Sequence, residues 1–255
     1  MNRKFKRTKA FMSSVVFFGL SLVLVFVLVY GIKYICSVNG NSQIPIYRVD
    51  TEDKKVALTF DVAWGTDNMK TIMEVLEKHN IKSTFFLVGS WVDDNKEIVK
   101  QLSESGHEIG NHSNTHANMT ALSDEDITNE IELTSEKISN ITGNQTKLYR
   151  PPFGEIDSKS MDICESLGYQ VIKWDVDSLD WKEIGPNHVI DRVVKGVQPG
   201  SIVLFHANVS YVSEYLDNII TRLKKDGYEI VPVSELIYKD NYTINSNGVQ
   251  KNIED

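Results

Sequence analysis

The chain has little cysteine, no internal repeat and, beyond its first 35 residues, a shortage of bases. Its two cysteines are Cys36, beside a long apolar run, and Cys164, inside a helical pattern. Two thiols in such different settings exclude a disulfide framework. Residues 1–35 carry six bases (Arg3, Lys4, Lys6, Arg7, Lys9 and Lys33) and no acid, so the remainder holds 21 bases against 35 acids, a balance near −14. A body this acidic repels phosphate backbones, and no basic stripe or aromatic-interleaved basic patch compensates, which excludes nucleic acid as a partner. No second domain is visible, and 255 residues are enough for one large core.

The basic start runs into "AFMSSVVFFGLSLVLVFVLVYGI", about 20 largely apolar uncharged residues, long enough to cross a bilayer as a helix. A cleaved signal peptide would have a shorter apolar region and a small-x-small exit. No such exit follows Tyr30, and Ile35 before Cys36 argues against a lipoprotein. The expectation is an uncleaved signal anchor: residues 1–9 cytoplasmic, 10–32 in the membrane, 33–53 a polar stalk and 54–240 an exterior domain. The protein is then a single-pass cell-membrane protein, and its polar tail, 241–255, is expected to be disordered.

From Lys54 onward apolar β-rich runs alternate with helical patterns. The runs are "KVALTF", "KSTFFLV", "HEIGN", "KLYR", "YQVIKW", "SIVLFH" and "EIVPV". Strand, helix, strand in this order implies parallel pairing with helical crossovers. Ser123, with Asp126 three residues on, marks a helix start, and Gly106, Gly168 and Gly227 stand where helices should stop. The class is α/β, either a barrel or an open doubly wound sheet.

Reactive residues collect at the carboxyl ends of these strands. Asp61 follows the first, "HSNTH" the third, "RPPFG" the fourth, "DVDSLDW" the fifth, and His206 ends the sixth. In parallel α/β architectures those ends form one mouth, where active sites lie. His112 and His116 are spaced i, i+4, so on a helical turn they face one way and share a metal. Arg150 is suited to pair with a carboxylate such as Asp61 and hold it ionised. His206 needs an acid to fix its tautomer and raise its basicity, and Asp175, Asp177 and Asp180 are all in reach by sequence. Trp64, Trp91 and Trp181 are rim aromatics for a sugar or core residues.

In order and approximate spacing, "TFDVAWG", "HSNTH", "RPPFG", "DSLDW" and "LFH" resemble the five motifs of the polysaccharide deacetylase family, the NodB-homology or family 4 carbohydrate esterases. The resemblance spans about Lys54 to Ile237. "FDVAWG", the short anchor and "YEIVPVSELI" resemble the membrane-anchored sporulation-type members of Firmicutes. The resemblance implies a distorted (β/α) barrel of about seven parallel strands that removes N-acetyl groups from a cell-wall glycan such as peptidoglycan. It implies Asp61 as general base, His112 and His116 as ligands of a divalent metal (zinc, or cobalt), Arg150 orienting Asp61, and the backbone N–H near Phe153 in the oxyanion hole. It implies His206 as general acid tuned by Asp180, with Trp181 and Leu204 shaping the acetyl pocket.

The sequence departs from the family pattern at Val62, where a second Asp normally supplies the third metal ligand. Valine coordinates nothing, and a catalytic zinc usually has three protein ligands. The expectation is a metal bound weakly or not at all, or another carboxylate recruited, with Asp67 and Glu155 nearby in sequence. A catalytically silent, glycan-binding wall protein is the alternative function.

Overall fold

The computed structural model describes residues 44–253. The basic segment, the expected anchor and the first part of the expected stalk lie outside the described residues. Among the described residues no helix is long and apolar enough to cross a membrane.

The main sheet is built from β2 (Lys55–Val62), β3 (Thr84–Leu87), β4 (Glu108–Asn111), β5 (Leu148–Tyr149), β6 (Gln170–Val171), β7 (Val176–Asp177) and β8 (Ile202–His206). They pair in the order β6-β5-β4-β3-β2-β8-β7, and β9 (Glu229–Ile230) pairs with the start of β2. Every pairing is parallel. The end strands β6 and β7 do not pair with each other, so the sheet is a curled half-barrel with a seam rather than the closed form of a barrel. β7 escaped the sequence reading because two residues inside "DVDSLDW" carry too short an apolar period to register.

Crossovers are made by α1 (Met69–Lys78), α2 (Gly89–Asp94), α3 (Lys96–Glu104), α4 (Asp124–Thr142), α5 (Ser158–Ser166), α6 (Pro186–Gly196) and α7 (Val212–Lys225). Helix α4 starts where its cap dictates: Ser123 Oγ accepts from the Asp126 N–H and donates to the Asp126 carboxylate. That arrangement satisfies an amide the first turn leaves orphaned.

Strand period explains the core. Along β2, Val56, Leu58, Phe60 and Val62 face the helices and join Phe85, Val92, Phe205, Tyr215 and Leu216 in one apolar layer. Ala57 faces the inside of the curl, packing with Phe86, Ile172 and Ile202, and Thr59 and Asp61 share its alternation. Phe85, Phe60, Phe205 and Tyr215 stack in succession, with ring centroids 5.0, 5.5 and 5.9 Å apart. Each contact of this kind adds about 0.5–1.5 kcal/mol beyond area burial. The stack also fixes where Tyr215 reaches.

Two expected boundaries move. The folded part begins before Lys54: Ile46 is buried and bridges to Ile172, and β1 (Arg48–Val49) pairs with β11 (Val249–Asn252). The tail at 241–255, expected to be disordered, contains β10 (Tyr242–Ile244) paired antiparallel with β11. Asn245 Oδ1 accepts from the Asn247 and Val249 amides, and Gly248 turns at φ +73°. A Cβ at Gly248 would meet the Tyr47 ring at 2.1 Å, so only glycine closes this hairpin. The tail's polarity hid an Asn-Gly turn.

Candidate active site

Strand register sets the centre of the site. Asp61 near the end of β2 is the direct partner of His206 at the end of β8, and beside it runs Phe86 of β3. The mouth opens into a cavity of about 440 Å³ lined by Asp61, Trp64, His112, His116, Phe153, Trp181, Leu204 and His206, among others.

Arg150 is fully buried. Its Nη1 donates to Asp61 Oδ1 at 2.8 Å and to Thr59 Oγ1 at 2.8 Å, and its Nη2 donates to the Lys173 carbonyl at 3.1 Å. The guanidinium lies over the Phe86 ring at 4.1 Å, in space Gly110 leaves open: a Cβ there would strike Phe86 at 2.5 Å. Burial alone would raise the Asp61 pKa, but the charges of Arg150, His112 and His206 outweigh it and hold the carboxyl below its ordinary 3.8.

His206 is held from the other side. Its Nδ1 donates to Asp180 Oδ1 at 2.8 Å, and its backbone N–H donates to Asp180 Oδ2 at 2.9 Å. Tyr215 OH donates to the same Oδ2 at 3.1 Å, and the Trp181 amide to Oδ1 at 2.9 Å. Burial pulls the imidazole pKa down; the bond to Asp180 and the charges of Asp180 and Asp61 overcome this and raise it above 6.5. Of the three candidate acids it is Asp180 that reaches His206. Asp175 instead accepts from Ser201 Oγ and the Ile202 amide, and Asp177 caps the Leu179 amide.

His112 and His116 do not sit on a helical turn. They occupy a loop after β4 in which Ser113 and His116 have φ of +66° and +60°. Glu130 of α4 holds the loop by accepting from the Asn114 and Thr115 amides, both at 2.8 Å. The two imidazoles still meet, edge to face, with centroids 5.0 Å apart. His112 Nδ1 donates to the Arg150 carbonyl at 2.7 Å, which leaves Nε2 turned toward Asp61 Oδ2 at 3.5 Å. Burial lowers the His112 pKa, and it pushes that of His116 to about 4.

The donors fall one short of a three-ligand zinc site. Val62 is fully buried in the helix-facing apolar layer, and among the described residues no three His, Cys, Asp or Glu side chains are grouped to hold one ion. Asp67 and Glu155 are exposed and do not line the cavity; Glu155 accepts from Asn118 Nδ2.

Sequence reasoning missed Thr59, Glu130 and Tyr215, whose roles depend on packing between distant segments. It left Trp64 and Trp91 undecided. Trp91 is core, donating through Nε1 to the Gly65 carbonyl at 2.8 Å, whereas Trp64 is 62% exposed.

The family model for polysaccharide deacetylase matches residues 48–172. Among curated proteins, YlxY of Bacillus subtilis is 34% identical over 76% of this chain and 60% of its own length. The peptidoglycan-N-acetylmuramic acid deacetylase PdaA of Bacillus subtilis is 35% identical over 76% of this chain and 75% of its own length. Among solved structures, BA3943 of Bacillus anthracis, described as a CE4 family pseudoenzyme, superposes with a TM-score of 0.74 at 38% identity, covering 76% of this chain and 69% of that one. A mutant of BA3943 is described as having restored enzymatic activity.

Proposed function

The chain belongs to the polysaccharide deacetylase family, and from that premise we propose that it hydrolyses N-acetyl groups of a cell-wall glycan of the peptidoglycan kind. One observation carries the reading: across one register pair, a carboxylate kept ionised by Arg150 faces the same cavity as an imidazole kept basic by Asp180. A base and an acid with pKa values pushed apart by their surroundings are what amide hydrolysis needs.

In this reading Asp61 takes a proton from water as its oxygen attacks the acetyl carbon. The carbonyl π pair moves to oxygen, and the backbone N–H of Phe153 is the donor assigned to that oxyanion. Collapse restores the C=O and breaks the C–N bond as His206 delivers a proton to the departing amine. The products are acetate and a free amino sugar, with Trp181 and Leu204 forming the walls around the methyl group. Because the donors do not complete a zinc site, each step above uses only the chain's own groups. In the same reading residues 10–32 hold the protein at the cell membrane with the domain outside, and its setting is sporulation. Incubating the purified protein with acetylated peptidoglycan and measuring free acetate, with and without chelator, tests the proposal; release that is unchanged in Asp61→Asn or His206→Ala would overturn the mechanism.

A second reading, a glycan-binding protein without catalysis, is favoured by Val62 and by the likeness to a pseudoenzyme. Glycan affinity by calorimetry, without acetate release, would select it.

A further inference from the structure

Two backbone carbonyls grip Arg150 from behind the Asp61 pair: that of Ile172 accepts from its Nε at 3.4 Å, and that of Lys173 accepts from its Nη2 at 3.1 Å. Both residues continue β6 past its end. On one side β5 holds them, the Ile172 amide donating to the Tyr149 carbonyl at 2.8 Å. On the other side lies the seam, and residues 45–50 run along it as a strap. The Ile46 amide donates to the Val171 carbonyl at 2.8 Å, and the Lys173 amide donates to the Ile46 carbonyl at 2.7 Å. The planar peptide unit between Ile172 and Lys173 therefore faces Arg150 with its carbonyl and Ile46 with its N–H. Hydrogen bonds in series through one peptide polarise and reinforce each other.

The strap is itself held by the hairpin β10–β11. The Tyr47 amide donates to the Gly248 carbonyl at 2.8 Å and the Asp50 amide to the Gln250 carbonyl at 2.7 Å, with Arg48 and Val49 paired to β11 between them. The Val49 amide donates to the Gly200 carbonyl at 2.9 Å, just before β8, so the strap crosses the seam. Gln250 is fully buried and locks the hairpin by accepting from the Tyr238 amide at 2.9 Å and donating to its carbonyl at 2.8 Å. The Lys173 ammonium lies over the Tyr47 ring at 4.6 Å. The loop that follows Arg150 rests on the same stretch: a Cβ on Gly154 would meet Trp174 at 2.8 Å and Lys173 at 3.3 Å.

We infer that residues 45–50 and the β10–β11 hairpin are positioning elements of the active site: they fix the stretch 172–174, and through it the Arg150 guanidinium and the seat of the Phe153 loop. The inference rests on the deacetylase reading above. Without the strap, the amide of Lys173 and the carbonyl of Val171 would stand on an open strand end and turn to water. The carbonyls that orient Arg150 would then lose their fixed direction. A purely structural strap could pair anywhere along the seam, but this one pairs at the peptide whose carbonyl holds the guanidinium.

The test compares the full-length protein with Tyr47→Ala, Tyr47→Phe and Gly248→Val. It measures acetate release from acetylated peptidoglycan well below each Tm, and hydrogen exchange of the Arg150 Nε–H by NMR, that signal being assigned by its loss in Arg150→Lys. Tyr47→Ala and Gly248→Val should each lower kcat about tenfold or more, with KM within about threefold of wild type, and should speed the exchange. Tyr47→Phe keeps the ring and should keep kcat within about threefold. Leu102→Ala, a cavity in the helix-facing core, controls for stability and should lower Tm with kcat retained. A kcat equal to wild type in folded Tyr47→Ala and Gly248→Val overturns the inference, as does unchanged Arg150 exchange or an equal loss of kcat in Leu102→Ala. If Gly248→Val does not fold, Tyr47→Ala, at a half-buried position, decides. A wild type that releases no acetate removes the deacetylase reading alone, and Arg150 exchange then decides whether the strap positions the guanidinium.

Discussion

Arg150 Nη1 donates to Asp61 Oδ1 at 2.8 Å, pairing a fully buried guanidinium with a carboxylate that is nearly buried and reaches solvent only through the cavity. Removing one member of such a pair strands the other as an uncompensated buried charge, at a cost of about 3–5 kcal/mol. Arg150→Ala is accordingly expected to lower unfolding stability by that order in urea titration. Arg150→Lys should recover only part of it, since an ammonium cannot reach Thr59, Asp61 and the Lys173 carbonyl together.

The Asp180 carboxylate sets the basicity of His206. Asp180→Asn removes its charge, so the basic limb of the rate–pH profile should move to lower pH and kcat should fall about 10²-fold or more. Tyr215→Phe removes one hydrogen bond to that carboxylate and should lower stability by about 1 kcal/mol, with a far smaller effect on rate.

Stability should itself depend on pH through these two groups. The Asp61 pKa is depressed in the fold, so its contribution is present above the unfolded value near 3.8 and is lost as pH falls through the lower folded value. The His206 pKa is raised, so its contribution is present below the unfolded value near 6.5 and is lost as pH rises through the higher folded value. Melting temperature against pH should be highest between the two windows, and His206→Gln should flatten the upper one.

Val62→Asp puts a carboxylate into the helix-facing apolar layer beside the end of β2. Without metal it should lower the Tm, by the order of 2–5 kcal/mol in stability. Zinc should return part of that loss by drawing the new carboxylate toward His112 and His116, about 2.7 kcal/mol at 100 times its Kd. Wild type should show no such zinc shift. Thermal scans of both proteins with zinc and with chelator make the comparison.

Parallel strands end at one edge, so the meeting of Asp61, Arg150 and His206 could be read from strand ends, whereas Asp180 was set apart from Asp175 and Asp177 only by the family resemblance. The position of Val62 was legible as an oddity, and strand alternation explains it: residue 61 faces the inside of the curl and residue 62 the helices. What escaped depends on long-range packing. Thr59 reads as an ordinary strand residue until Arg150 arrives from 91 positions away. Tyr215 reads as a helix core residue until the ring stack aims its hydroxyl at Asp180. The spacing of His112 and His116 suggested a helical turn, but two left-handed residues and Glu130 build a loop instead.

The central claim is that Asp61 and His206 together cleave an N-acetyl amide on a glycan. Acetate released from purified acetylated peptidoglycan by wild type, Asp61→Asn and His206→Ala tests it most directly. The account predicts release by wild type, with each variant slower by about 10²–10⁴-fold. A wild type that binds the glycan and releases no acetate, or an Asp61→Asn variant that matches wild type, would contradict it.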